Sequence, residues 1–76
     1  MEQLVEYIVK SLVDNKDAVR ITTERDGSEI NIIVNVAEED VGKVIGKNGR
    51  IAQSIRAIVK SVSAKERIRY NVKINK

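Results

Sequence analysis

Leu4, Val5, Ile8, Val9, Leu12 and Val13 recur at i, i+1, i+4, i+5, i+8 and i+9, which sets them on one face of a helix over roughly residues 2–14. Asp14-Asn15-Lys16-Asp17 ends it. The period then falls to two: Val19, Ile21 and Thr23 alternate with Arg20, Thr22 and Glu24, the pattern of a half-buried strand, and Asp26-Gly27 is a hairpin turn signal. Ile30, Ile32, Val34 and Val36 continue as a second strand, with Ile33 on its opposite face between Asn31 and Asn35 and so partly exposed.

The period lengthens again after residue 37. Val41, Val44 and Ile45 give an apolar face to a short second helix that Gly46 ends. Glu38-Glu39-Asp40 is most simply its acidic first turn, set against the positive end of the helix dipole; weak binding of a divalent ion is the other use of such a cluster. Ile51, Ile55, Ile58, Val59 and Val62 then mark a third helix from Arg50 to about Ala64, with Arg50, Gln53, Arg56 and Lys60 on its polar side. Ser63-Ala64-Lys65-Glu66 is expected to be a connection, and Ile68, Tyr70, Val72 and Ile74 alternate with Arg67, Arg69, Asn71 and Lys73 in a last strand with one basic face. The order helix, strand, strand, helix, helix, strand is that of an α+β domain over residues 1–76, with no linker or internal repeat.

Composition narrows the chemistry. The chain has neither cysteine nor histidine, which removes disulfides, the usual zinc sites and every Ser-His or Cys-His catalytic arrangement. No catalytic residue, metal ligand or cofactor is therefore expected. The opening Met1-Glu2-Gln3 has no basic segment and charges interrupt every apolar stretch, so neither a signal peptide nor a membrane span is expected, and the cytoplasm is the default location. At 76 residues and 42% hydrophobic, the chain suits one small folded domain.

The formal charge of +3 conceals a division along the chain. Residues 1–41 hold four basic and ten acidic side chains, a balance of −6, whereas residues 42–76 hold ten basic side chains and the single acid Glu66, a balance of +9. Such a switch is how a polyanion-binding surface is written in sequence. Within it, Arg67, Arg69 and Lys73 are expected to act as electrostatic background or as guards against edge-to-edge strand pairing.

The switch falls beside Val44-Ile45-Gly46-Lys47-Asn48-Gly49-Arg50, two glycines around a lysine and an asparagine at the mouth of a helix. Glycine there removes the Cβ that would bar a phosphate, and free amides at a helix start point toward an anion. A helix C-cap followed by a tight turn uses the same residues, so the neighbours have to decide. The Walker spacing fails, because only three residues lie between Gly42 and Gly46 where four are needed, and Asn48 stands where the magnesium-binding hydroxyl belongs. The dinucleotide fingerprint fails because a helix, not a strand, precedes the loop. A helix, a Gly-x-x-Gly turn holding a lysine and a second amphipathic helix do match the clamp of a KH domain.

Over nearly the whole chain the element order resembles the type II KH fold, with a three-stranded sheet and three helices on one face. The run Ile45-Gly46-Lys47-Asn48-Gly49-Arg50-Ile51-Ala52-Gln53-Ser54-Ile55-Arg56 is similar to the stand-alone bacterial KhpA (YlqC) group of single-KH proteins. The resemblance implies a non-catalytic protein that holds about four nucleotides of single-stranded RNA in a groove between two helices and a strand. Gly46 and Gly49 would admit the sugar-phosphate backbone, Lys47 add charge, Asn48 a hydrogen bond, and Ile45 and Ile51 apolar surface for bases; Lys43, Arg50 and Arg56 would flank them. Ala52 departs from the branched aliphatic common at its position and implies a differently shaped groove floor. A weak single module gains from avidity, so a homodimer or a second RNA-binding partner is expected; the resemblance implies that this partner is a larger KH-containing protein (KhpB, Jag-like), with a role in post-transcriptional regulation or as an RNA chaperone linked to cell elongation or division. The other reading of the same residues is a protein-interaction module with incidental RNA contact. Only Tyr7 and Tyr70 are aromatic, too few for the stacking platforms of other RNA-binding modules.

Overall fold

The computed structural model describes residues 1–74; the expected domain end at residue 76 and the charge of Lys76 lie outside the described residues. Helix α1 (Glu2–Leu12) buries Val5 and Val9, and Val13 continues the row one turn on. The helix is two residues shorter than its periodicity suggests, for a tertiary reason. The amides of Asp14 and Asn15, which a longer helix would bond to its own carbonyls, donate instead to the Asp40 carboxylate at 3.3 and 2.9 Å.

A 3-10 turn at Lys16–Ala18 leads into strand β1 (Arg20–Asp26), which pairs antiparallel with β2 (Glu29–Asn35) through the two-residue turn Gly27-Ser28. Asp26 is thus the last strand residue, not part of the turn, and stands opposite Glu29. Strand β3 (Arg69–Ile74) lies parallel to β2 on its other side, giving the sheet order β1-β2-β3. The half-buried character expected of β1 is confined to Val19, just before it, and Ile21; as the edge of the sheet its later residues, Thr23 included, are exposed. Ile33 is half-buried on the outer face, as its alternation predicts, where Asn71 Nδ2 donates to Asn31 Oδ1 at 3.2 Å and to Glu29 Oε1 at 2.6 Å.

Helix α2 (Val41–Ile45) follows a 3-10 turn at Glu38–Asp40, and helix α3 (Arg50–Glu66) is the longest element. The core joins Ile32, Val34 and Val72 of the sheet to Val5, Val9, Val44, Ile55 and Val59 of the helices. The result is an α-β-β-α-α-β domain of the type II KH architecture.

Two expectations for α3 need correction. Ser63–Glu66 is not a connection: the helix runs through it and stops at Arg67, whose φ of 57° is left-handed, while the amide of Ile68 folds back to the Ser63 carbonyl at 3.2 Å. Ile58 is not core but 44% exposed. The buried stripe runs through Ala52, Ile55 and Val59, and Ile58 lies about 100° round the helix from Val59, beyond the sheet's cover.

Candidate nucleic-acid interface

Helix α2 ends because the backbone at Gly46 leaves helical space. Its φ of 77° and ψ of 174° fall in a region open essentially to glycine alone, and its amide closes the helix onto the Gly42 carbonyl at 2.8 Å. A Cβ at Gly46 would sit 2.5 Å from Ile51 Cγ1 and 2.8 Å from Ile51 Cβ, so the residue is glycine for packing as well as for conformation. Asn48 (φ 57°, ψ 25°) and Gly49 (φ 74°, ψ 13°) are both left-handed, which asparagine tolerates better than most side chains. The Gly49 amide bonds back to the Gly46 carbonyl at 3.2 Å, closing the turn.

The two glycines therefore differ. Nothing lies within 4 Å of where a Cβ on Gly49 would be, so its bare backbone faces open space. Lys47, Asn48 and Arg50 are exposed around it, and no side chain caps the start of α3. The Arg50 amide already bonds to the Lys47 carbonyl, so the turn presents an exposed lysine and an unobstructed glycine backbone and not a row of free amides.

The flanking residues divide. Ile45 and Ile51 are half-buried, Ile51 packing against both the core and Gly46. Ala52 is buried, so the chain contributes a methyl group there and not a branched side chain. The Lys43 ammonium is ion-paired to Asp14 and lies 3.6 Å from Asp40, and the hydrogen bond it donates to the Asp14 carboxylate raises its pKa above the ordinary lysine value. Arg56 lies farther along α3, where its Nε donates to the Val72 carbonyl at 3.4 Å, joining helix to strand.

Asp40 was hidden in the sequence by its acidic neighbours. Glu38 and Glu39 are exposed, whereas Asp40 is fully buried, with the amides of Asn15 and Asp14 on its two oxygens. The hydrogen bond from Asn15 is the chief cause holding its pKa below the usual carboxylate value, against burial, which raises it; the Asp14 amide and Lys43 also lower it. The acidic turn is thus chiefly a tie between the end of α1 and the start of α2. Among the described residues no group of three or more acidic side chains is placed to hold a metal ion.

Between α3 and β3 runs an open groove of about 790 Å³, of whose lining only Arg56 belongs to the residues expected to contact RNA. Lys60, Arg67 and Arg69 line it as well, with Ser63 and Tyr70 on its two walls. Tyr70 anchors the strand wall: its amide donates to Ser63 Oγ at 3.2 Å and its hydroxyl to Glu66 Oε1 at 2.8 Å, the second bond raising the phenol pKa. Helix periodicity assigned Lys60 to the solvent side, and strand alternation could not show that Arg67 and Arg69 meet it across a groove. The basic second half of the chain thus supplies cations to the glycine turn, to α3 and to the walls of this groove.

The chain matches the sequence model described as "KhpA/KhpB, KH domain" over residues 2–74. It is 51% identical to the RNA-binding protein KhpA of Caldanaerobacter subterraneus subsp. tengcongensis over 74 residues, covering 97% of this chain and 99% of the relative. The protein of the same name from Clostridium acetobutylicum is 47% identical with the same coverage, and that from Halalkalibacterium halodurans 40% identical over 97% of both chains. Together with the α-β-β-α-α-β fold and the Gly46–Gly49 turn between two helices, these matches place the chain in the KhpA/KhpB KH-domain family.

Proposed function

We propose that this protein binds single-stranded RNA without catalysing its conversion, clamping about four nucleotides at the Gly46–Gly49 turn. The observation that carries the reading is the asymmetry of the two glycines: Gly46 is packed against Ile51, while Gly49 leaves bare backbone facing open space beside Lys47, Asn48 and Arg50. The name borne by the relatives, RNA-binding protein KhpA, supports RNA as the ligand. Sugar-phosphate would sit against Gly49 and Lys47, with Asn48 offering a hydrogen bond. The exposed edges of Ile45 and Ile51 would meet bases, and Arg50 and Arg56 would flank the strand. Lys43 would join them only by exchanging its carboxylate partners for phosphate.

One such clamp grips few phosphates, so the protein would act in the cytoplasm as a homodimer or with a larger KH protein of the KhpB type, gaining avidity in post-transcriptional regulation or RNA chaperoning, with a link to cell elongation or division. A second reading, a protein-interaction module, draws on Leu4, Tyr7 and Ile58, which are 37%, 74% and 44% exposed. Backbone amide NMR during titration with a short single-stranded RNA separates the two. The clamp predicts the largest shifts at residues 46–52; shifts confined to α1 and Ile58 would overturn it.

A further inference from the structure

We propose that Asp14 sets the affinity of the RNA site by competing with phosphate for the Lys43 ammonium, so that neutralising this one carboxylate tightens RNA binding. The proposal rests on the clamp reading and adds to it a residue from outside the turn. Lys43 precedes Gly46 by three residues, and the Gly46 amide still closes onto the Gly42 carbonyl, so helical geometry carries the face that bears Lys43 up to the turn. A lysine there would be a third cation beside Lys47 and Arg50. Its ammonium is instead drawn toward the N-terminal end of α2, the direction in which helical side chains lean, and meets Asp14 and Asp40. Among the described residues neither Lys47 nor Arg50 is ion-paired, so Lys43 is the cation next to the turn that acid withholds.

The two carboxylates hold Lys43 unequally. Asp40 is fully buried, its two oxygens already accept the amides of Asp14 and Asn15, and it lies 3.6 Å from the ammonium. Asp14 accepts the hydrogen bond from Lys43, and does so from a side chain that is 83% exposed. An ion pair so open to water adds little to stability and is screened by salt, which leaves it free to exchange. A phosphodiester offers the ammonium the same charge and the same kind of acceptor oxygen. The Asp14 side chain is also separable from the fold. The group at residue 14 that ties α1 to Asp40 is its backbone amide, which a change of side chain leaves in place.

Fluorescence anisotropy with a labelled random-sequence single-stranded RNA octamer tests it on the wild type, Asp14→Asn, Asp14→Glu, Lys43→Gln and Asp14→Asn/Lys43→Gln, with a thermal melt of each as the check on folding. Asp14→Asn should bind about fivefold more tightly at about 50 mM salt, and its logarithmic salt dependence should steepen by about 0.7, the equivalent of one more phosphate contact on a single strand. The gain should therefore vanish near 500 mM, about tenfold more salt. Asp14→Glu, which keeps the competing charge, and Lys43→Gln should each stay within about twofold of the wild type. The double variant should lose the gain. Unchanged or weaker binding by Asp14→Asn, an unaltered salt slope, or a gain that persists without Lys43 would overturn the role of Asp14. The clamp itself fails on a different result, octamer binding that survives charge reversal at Lys47 and Asn48.

Discussion

Gly46 and Gly49 share a motif but answer to different forces, and substitution should separate them. Alanine at Gly46 meets a backbone region that costs about 1–3 kcal/mol on its own and adds a methyl group overlapping Ile51, so Gly46→Ala should destabilise by about 3 kcal/mol or more. Alanine at Gly49 pays only the left-handed penalty of about 1–2 kcal/mol and meets no neighbour. Its methyl group would instead stand where phosphate is proposed to approach. Denaturant unfolding and RNA binding measured on both variants should therefore rank them in opposite orders: Gly46→Ala the less stable, Gly49→Ala the weaker binder relative to its folded fraction. Equal losses of stability would contradict the packing role of Gly46.

At the scale of elements, the burial of Asp40 couples α1 to α2 and makes stability depend on acid. Its pKa lies below the ordinary 3.8 in the folded chain, so its contribution is fully present above that pH and is lost as pH falls through the folded value. Asp40→Asn should lower the melting midpoint by several degrees at neutral pH, and the gap from the wild type should close as both are melted at successively lower pH, below about 4. A gap independent of pH would mean that the carboxylate charge contributes nothing. This tie also shows where sequence reading stops. Among the described residues the periods of 3.6 and 2 located the three α-helices and three strands, because all but the edge strand β1 bury a stripe or an alternate row and β1 still turns Ile21 inward, and the glycine turn stood out because its neighbours were helical. The end of α1 at Leu12, the inward turn of Asp40 and the pairing of Lys43 with Asp14 depend on contacts 25 to 29 residues apart, which no local period records. Ile58 matched the spacing and missed the stripe because the apolar arc of α3 is narrower than its pattern, and Ser63–Glu66 stayed helical because Arg67 supplies the left-handed stop that glycine usually provides.

Across the whole molecule, the sequence's charge switch follows the elements: α2's end, the glycine turn, α3 and β3 carry the positive half, while ten of the eleven acids lie in the elements and turns that precede α2. Lys43 is the exception that joins the halves, its ammonium held by Asp14 and Asp40. A surface so divided orients a polyanion before contact and ties affinity to ionic strength. The glycine turn is the proposed focus of that field, since the exposed Lys47 and Arg50 flank the open left-handed backbone of Gly49 there. Single-stranded RNA binding by Lys47→Asp/Asn48→Asp is the most direct measurement, because aspartate tolerates the left-handed conformation of Asn48 while reversing the charge that meets phosphate. The account predicts an affinity loss of about tenfold or more at low salt with the melting midpoint little changed; unchanged affinity in a folded variant would contradict it.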